Sequence, residues 1–324
     1  MNAIAKRVQD LEGFLPERTA RPDLDEFWEN TIREDAEAEW SSERRRVESP
    51  LLGTAVYDTV YTGYAGTPIH GWLLLPEQSF RRPLPCIVLY HGYTGSRELP
   101  EHHAAWLMMG YAVFAMDVRG QGGATGNTLG QTNGMAKGWV TQNLHDKDSY
   151  YYKAITVDAV RAVRFVREQP ELDPARIVVM GTSQGGGLTL MVSALVPRLI
   201  CASVASLPNM CHLDFGILNS AGSITEAADY VARHPEQLDS VLATLSYFDA
   251  MNLAHRIVKP LLCTAGLKDP VCLPETIYAA YNRISDAPKE MIVYPFNGHW
   301  TGPDHMRRAN AFIRKQLEAN GGMG

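Results

Sequence analysis

A mostly parallel α/β sheet flanked by helices is what this sequence predicts, on two observations. Six short, almost continuously apolar runs follow one another along the chain: PCIVLY, YAVFAMDV, RIVVMG, ICASVASLP, PLLCTAG and MIVYPF. A run that is apolar at every position belongs in a strand covered on both faces. Between most of these runs lie segments of helical period, and strands that alternate with helices make right-handed crossovers onto a parallel sheet. The chain has 324 residues, 45% hydrophobic and 20% charged. It can therefore bury the core such a sheet needs as one domain, residues 1–324, grown by loops and an insertion.

Ahead of the sheet pattern, residues 1–50 read as an N-terminal helical extension. Within it residues 23–37 carry Leu24, Phe27, Trp28 and Ile32 on one helical face, so this helix is expected to pack on the main body. The tight basic run Arg44, Arg45, Arg46 reads as a solvated surface stretch. Residues 54–75 alternate, AVYDTVYTGY and then IHGWLLLP around a Gly-Thr-Pro break, as a hairpin does. The longest helix is expected over residues 150–169, where Ile155, Ala159, Ala162, Val163 and Val166 share one side and Pro170 ends it. Residues 209–256 interrupt the strand rhythm with polar, helix-prone sequence, which is where a cap-like insertion over a site would enter.

Composition removes several functional classes. A net charge of −6 offers no clustered cations for a phosphate backbone or an anionic lipid surface, so neither nucleic acid nor membrane is an expected partner. The N-terminal MNAIAKRVQDLEGF lacks the apolar centre of a signal peptide. No stretch approaches the ~20 apolar residues of a membrane span, and a soluble, cytoplasmic protein is expected. Cys86, Cys201, Cys211, Cys263 and Cys272 include no CxxC pair and read as core packing. His102, His103, His145, His212, His234, His255 and His305 show no metal-ligand spacing. Gly120-Gln121-Gly122-Gly123 lacks the Lys and Ser/Thr of a phosphate loop, so no metal and no cofactor are expected.

The strongest chemical signal is RIVVMGTSQGGGLTLMVSAL. A buried strand ends at Met180, Gly181-Thr182-Ser183-Gln184-Gly185 turns, and Leu188 onward reads as a helix. Strand, Gly-x-Ser-x-Gly and helix in that order make the nucleophile elbow of an α/β-hydrolase fold. Gly181 and Gly185 let strand and helix backbones approach, which lifts Ser183 on a strained turn. The N–H of Gln184, at the start of the helix, is placed to hold a developing oxyanion. A second donor should follow an earlier strand, and PCIVLYHGYTG offers the N–H of Tyr93. His91 precedes the nucleophile, whereas this fold runs Ser, then acid, then His, so His91 reads as structural.

The acid is expected where PLLCTAGLKDPVCLP leaves a strand, at Asp269. The base is expected where MIVYPFNGHW does the same, at His299. A carboxylate there can fix the imidazole tautomer and stabilise the imidazolium. Arg119, in Arg119-Gly120-Gln121, reads as a scaffold cation bonding loop carbonyls or a carboxylate below the site. Together these imply two-step acyl transfer through Ser183. Another acyl ester, a thioester or a peptide bond would suit the same triad, and a non-catalytic binding protein would suit the same fold.

Arg119-Gly120-Gln121, Gly181-Thr182-Ser183-Gln184-Gly185 and the His near the C-terminus resemble, in order, the signature motifs of the acetyl xylan esterase and cephalosporin C deacetylase family, the seventh carbohydrate esterase family. DLDEFW at 23–28, Tyr150-Tyr151-Tyr152-Lys153 and the Asp269 loop extend the resemblance over nearly the whole chain. It implies Ser183, Asp269 and His299 as triad, with the N–H groups of Tyr93 and Gln184 as oxyanion hole. Arg119, Gly120, Gln121, Gly181 and Gly185 would then support the site. It also implies deacetylation of small acetylated xylo-oligosaccharides and of cephalosporin C, an intracellular setting, and a homo-hexamer with active sites on an inner cavity. The family commonly has His-Glu at the third motif, whereas Trp300 follows His299 here.

Overall fold

The computed structural model describes residues 1–77, 83–135 and 137–319. Two helices come first, α1 (Ala3–Glu12) and α2 (Leu24–Glu37). Leu24, Phe27 and Trp28 of α2 are buried, as the apolar stripe requires. Three strands follow, β1 (Ser42–Val47), β2 (Thr54–Thr62) and β3 (Pro68–Pro76), the last two forming the expected hairpin. Next come β4 (Leu84–Tyr90), the short helix α3 (Ala104–Met108), β5 (Ala112–Met116), the long helix α4 (Tyr151–Arg167) and β6 (Leu172–Thr182). Then α5 (Gln184–Leu195) leads to β7 (Ala202–Ser206). Four helices fill most of residues 209–256: α6 (Leu213–Asn219), α7 (Thr225–Arg233), α8 (Leu238–Tyr247) and α9 (Ala250–Leu253). The chain closes with β8 (Leu261–Gly266), α10 (Pro274–Tyr281), β9 (Lys289–Tyr294) and α11 (His305–Ala319).

Among the described residues nine strands make one sheet in the order β1-β2-β3-β5-β4-β6-β7-β8-β9. From β5 to β9 every pairing is parallel, while β1, β2 and β3 add an antiparallel edge. Every residue of β5 and β7 is buried, because helices cover both faces. One face packs on α4 and α5 through residues such as Ile155, Val163, Leu188 and Val192; the other packs on α3 and α11 through Trp106, Phe312 and Ile313. β4 is followed by a strand on one side and, after the crossover, by β6 on the other. The carboxyl ends of β4 and β6 therefore flank a topological switch point, where open α/β sheets leave a crevice for a ligand.

One region differs from the sequence reading. Residues 1–50 are not helical throughout, since β1 occupies Ser42–Val47 and pairs antiparallel with β2. The arginine run lies on this edge strand, at the surface and ion-paired: Arg44 grips Glu171 with two 2.9 Å bonds, and Arg46 lies 2.6 Å from Glu77. SERRRV carries no apolar alternation; its partner strand dictates the conformation, and the charges shield an edge that would otherwise template aggregation. Helix α2 docks on the 209–256 segment. The Trp28 indole N–H donates to the Tyr247 carbonyl at 2.7 Å, and its ring meets Phe248 edge-on at 5.6 Å. All five cysteines are buried and free. Among the described residues no helix is long and apolar enough to cross a membrane.

Candidate active site

Ser183 occupies the single position between β6 and α5 at φ +59°, ψ −120°. An L-residue holds such a conformation only where its surroundings over-determine it. Three backbone bonds do so: the Ser183 N–H donates to Ser206 O at 2.9 Å, and Ser183 O accepts from Gly187 and Asn209, both at 2.9 Å. The helix starts at Gln184, where its N–H is expected to stand, one turn before Leu188, from which the apolar pattern reads as helical. Glycines 185–187 are weak helix formers, which hid the first turn, yet close approach demands them. A Cβ on Gly186 would stand 2.9 Å from Pro208 Cα, and one on Gly187 2.6 Å from Asn209 O.

Gly181 and Gly185 are tighter still. A Cβ on Gly181 would come 2.4 Å from the Gly185 carbonyl, and one on Gly185 would come 1.9 Å from Tyr90 O. Backbone cannot yield as a flexible side chain does, so Gly185→Ala must push α5 away from β4. Its expected cost is at least about 2 kcal/mol, at the upper part of the overpacking range. Urea denaturation should show this as a lower midpoint, and an unchanged midpoint would contradict the close approach.

Asp269 and His299 lie on the loops after β8 and β9 and meet each other. His299 Nδ1 is 2.8 Å from Asp269 Oδ2. A carboxylate only accepts, so Nδ1 carries the proton and Nε2 is left as the basic nitrogen. The other carboxylate oxygen accepts from Val271 N–H at 2.8 Å and Cys272 N–H at 3.0 Å. The Asp269 side chain is fully buried and the imidazole a quarter exposed, so the acid is shielded while the base faces the opening. Burial, reinforced by the Asp269 carboxylate, pushes the Cys272 thiol pKa well up and keeps it neutral, with the Ser183 side chain opposing the shift. Asp269 and His299 are thus paired, while Ser183 stands on the same carboxyl edge of the sheet, after β6, with no hydrogen bond to His299 among the described residues.

Two backbone N–H groups expected at the site have no protein partner among the described residues. Gln184 is the first residue of α5, where N–H groups lack intrahelical partners. Among the described residues neither its N–H nor that of Tyr93 has a protein acceptor. The loop bearing Tyr93 is fixed from several directions. Thr94 N–H donates to Gln121 Oε1 at 2.9 Å, while Arg97 and Ala124 N–H donate to opposite oxygens of Asp117 at 2.7 and 2.8 Å. His91 accepts from Val118 N–H through Nε2 at 2.8 Å, and its Nδ1 is 2.8 Å from Gly92 O. Both ring nitrogens are engaged and burial lowers its pKa, so His91 is a neutral tie between the ends of β4 and β5.

Two of the three motifs, Arg119-Gly120-Gln121 and the Ser183 elbow, meet through Gln121. Its amide nitrogen donates to Gln184 Oε1 at 2.8 Å and lies 3.0 Å from Tyr151 OH, which itself donates to Arg119 O at 2.7 Å. Arg119 has no exposed surface. It donates to both oxygens of Asp158 at 2.6 and 2.7 Å, to Thr67 Oγ1 at 2.9 Å and to Tyr64 O at 2.9 Å. Burial opposes its charge, but Asp158 outweighs burial and raises its pKa further. Gly120, at φ +72°, needs the left-handed region. The sequence reading missed Asp158 and Glu226, whose only signal is their place on an expected helix or in the expected insertion. Glu226 accepts from Tyr93 OH. Among the described residues no cluster of His, Cys, Asp and Glu is arranged to hold a metal ion.

This geometry has close counterparts. A family model described as acetyl xylan esterase (AXE1) matches residues 1–317. The acetyl xylan esterase of Paenibacillus sp. R4 is 38% identical, with a TM-score of 0.92 over 96% of this chain and 99% of that one. Acetyl xylan esterase 1 of Thermoanaerobacterium sp. JW/SL YS485 is 30% identical, with a TM-score of 0.89 over 95% and 98%. The acetyl esterase Axe7A of Xylanibacter ruminicola is 35% identical over 182 residues, 56% of this chain. The match spans only 40% of the length of that curated relative.

Proposed function

The chain belongs to the acetyl xylan esterase family, and on that premise we propose that it is a serine esterase removing acetyl groups from small esters, acetylated xylo-oligosaccharides and cephalosporin C among them. The observation that carries this reading is the 2.8 Å Asp269–His299 pair at the carboxyl edge of the sheet, the edge on which β6 gives way to a serine held at positive φ. In the proposed cycle His299 Nε2 takes the Ser183 proton, and the Ser183 oxygen attacks the acetyl carbonyl. The N–H groups of Tyr93 and Gln184 receive the oxyanion. His299 then protonates the departing sugar oxygen, leaving acetyl-Ser183. A water deprotonated by His299 attacks the acetyl-enzyme, and acetate leaves as Ser183 regains its proton. The proposal extends to an intracellular homo-hexamer, which rests on the family resemblance.

A rate series tests the acyl preference. A methylene that does not fit costs about 1–3 kcal/mol, or 10- to 200-fold. On p-nitrophenyl esters the acetate should therefore exceed the butyrate by about tenfold or more in kcat/KM, and acetylated xylo-oligosaccharides and cephalosporin C should release acetate. A maximum at octanoate, or faster cleavage of an anilide, would assign the site to another acyl substrate.

A further inference from the structure

Tyr93 has a second set of contacts that oxyanion binding does not require. Its hydroxyl lies 2.9 and 2.8 Å from the two carboxylate oxygens of Glu226, to which it donates, and it accepts from the Trp139 N–H at 2.9 Å. Its ring stands edge-on to Trp139 with centroids 5.5 Å apart. Glu226 also accepts from Val140 N–H at 3.1 Å and is buried, although it belongs to α7 in the 209–256 segment. The fit is close: a Cβ on Gly138 would stand 2.3 Å from Glu226 Oε1 and 2.4 Å from Tyr93 OH. One tyrosine hydroxyl thus joins three segments, namely the loop after β4, the loop leading to α4, and the helical insertion.

The consequence lies at the Tyr93 backbone. Its N–H can hold an oxyanion only while the Tyr93 torsions aim it at the substrate carbonyl. On one side the next residue is fixed, since Thr94 N–H is bonded to Gln121. The remaining freedom is rotation of the Tyr93 unit, and a ring tethered at its far end opposes that rotation. We propose that Glu226 is a positioning residue: by holding the Tyr93 hydroxyl it keeps the Tyr93 N–H aimed into the site and makes the oxyanion hole depend on the docked 209–256 segment. This rests on the oxyanion role given to Tyr93 above.

The test uses the full chain and four variants: Glu226→Ala, Glu226→Gln, Tyr93→Phe, and Tyr93→Phe with Glu226→Ala. Three quantities are measured with p-nitrophenyl acetate: kcat, KM, and the inhibition constant of a methyl trifluoromethyl ketone, which adds to the nucleophile as a tetrahedral oxyanion. Thermal melting monitors the fold. Removing an oxyanion donor outright costs about 10²–10³ in kcat; a donor that is only misaimed should cost less, about 10- to 30-fold. Glu226→Ala and Tyr93→Phe should each show that loss in kcat with KM within about twofold, and the ketone should weaken by the same factor. The double variant should be no worse in kcat than either single one, because both single variants already break the Tyr93–Glu226 bond through which Glu226 acts on the Tyr93 N–H. Glu226→Gln, which can still accept from the hydroxyl, should recover most of the rate.

Losses that multiply, a rate that falls without weakening the ketone, or an unchanged kcat would each overturn the proposal. If Glu226→Ala does not fold, Tyr93→Phe carries the same test alone. Failure here leaves wild-type turnover intact, whereas failure of the esterase assignment would remove it.

Discussion

Ser183→Ala is expected to lower kcat on p-nitrophenyl acetate by about 10⁵- to 10⁶-fold, the loss seen when the nucleophile of a serine triad is deleted. The same variant should lose all labelling by a fluorophosphonate while its melting temperature stays within a few degrees of wild type. Among the described residues no side-chain hydrogen bond holds the Oγ atom in the fold, so its removal leaves the fold's supports in place. Those supports are backbone bonds to Ser206, Gly187 and Asn209, which alanine keeps. The residue after the nucleophile still presents its N–H, and the Asp269–His299 pair is untouched. The remaining activity should therefore be that of a preformed hole and a base acting on water. Activity within about a hundredfold of wild type would remove Ser183 from the mechanism. Loss accompanied by unfolding would shift the role of the strained turn from chemistry to stability.

Most of this site is legible in the sequence because its chemistry constrains the chain locally. A nucleophile at positive φ between a strand and a helix needs Gly181 and Gly185, so the pattern carries its own geometry. Asp269 and His299 stand where apolar runs give way to turns, and their chain order follows from the fold. What escapes reading is whatever is held together across the chain. Glu226 is 133 residues from Tyr93, and Asp158 is 39 from Arg119. Neither sits in a motif, and either could have been a solvated helix carboxylate. Strand β1 was hidden for a related reason: SERRRV has no period of its own and becomes a strand only because β2 offers it a register. The first turn of α5 carries no apolar pattern because propensity and packing disagree there, and packing prevails.

The second large effect belongs to Arg119, and here stability rather than catalysis should respond. Arg119 and Asp158 are both fully buried side chains, joined by two short bonds, and Asp158 also accepts the Tyr64 N–H at 2.8 Å. Removing the guanidinium strands a carboxylate in the interior. Breaking a buried pair from one side costs about 3–5 kcal/mol, which in a domain of this size lowers the melting temperature by roughly 4–8 °C. Arg119→Lys should recover little, since an ammonium cannot reach Asp158, Thr67 and Tyr64 together as the planar fork does. Arg119→Met with Asp158→Leu should melt higher than Arg119→Met alone, because the second change removes the stranded charge. Catalysis should change only as far as the Gln121 loop loosens, since Arg119 reaches the site through its carbonyl bond to Tyr151 and through Gln121. If Arg119→Met instead kept its melting temperature and raised KM for an acetylated xylo-oligosaccharide, the guanidinium would be a substrate contact, and the network of Gln121, Tyr151 and Gln184 would have to hold the elbow without it.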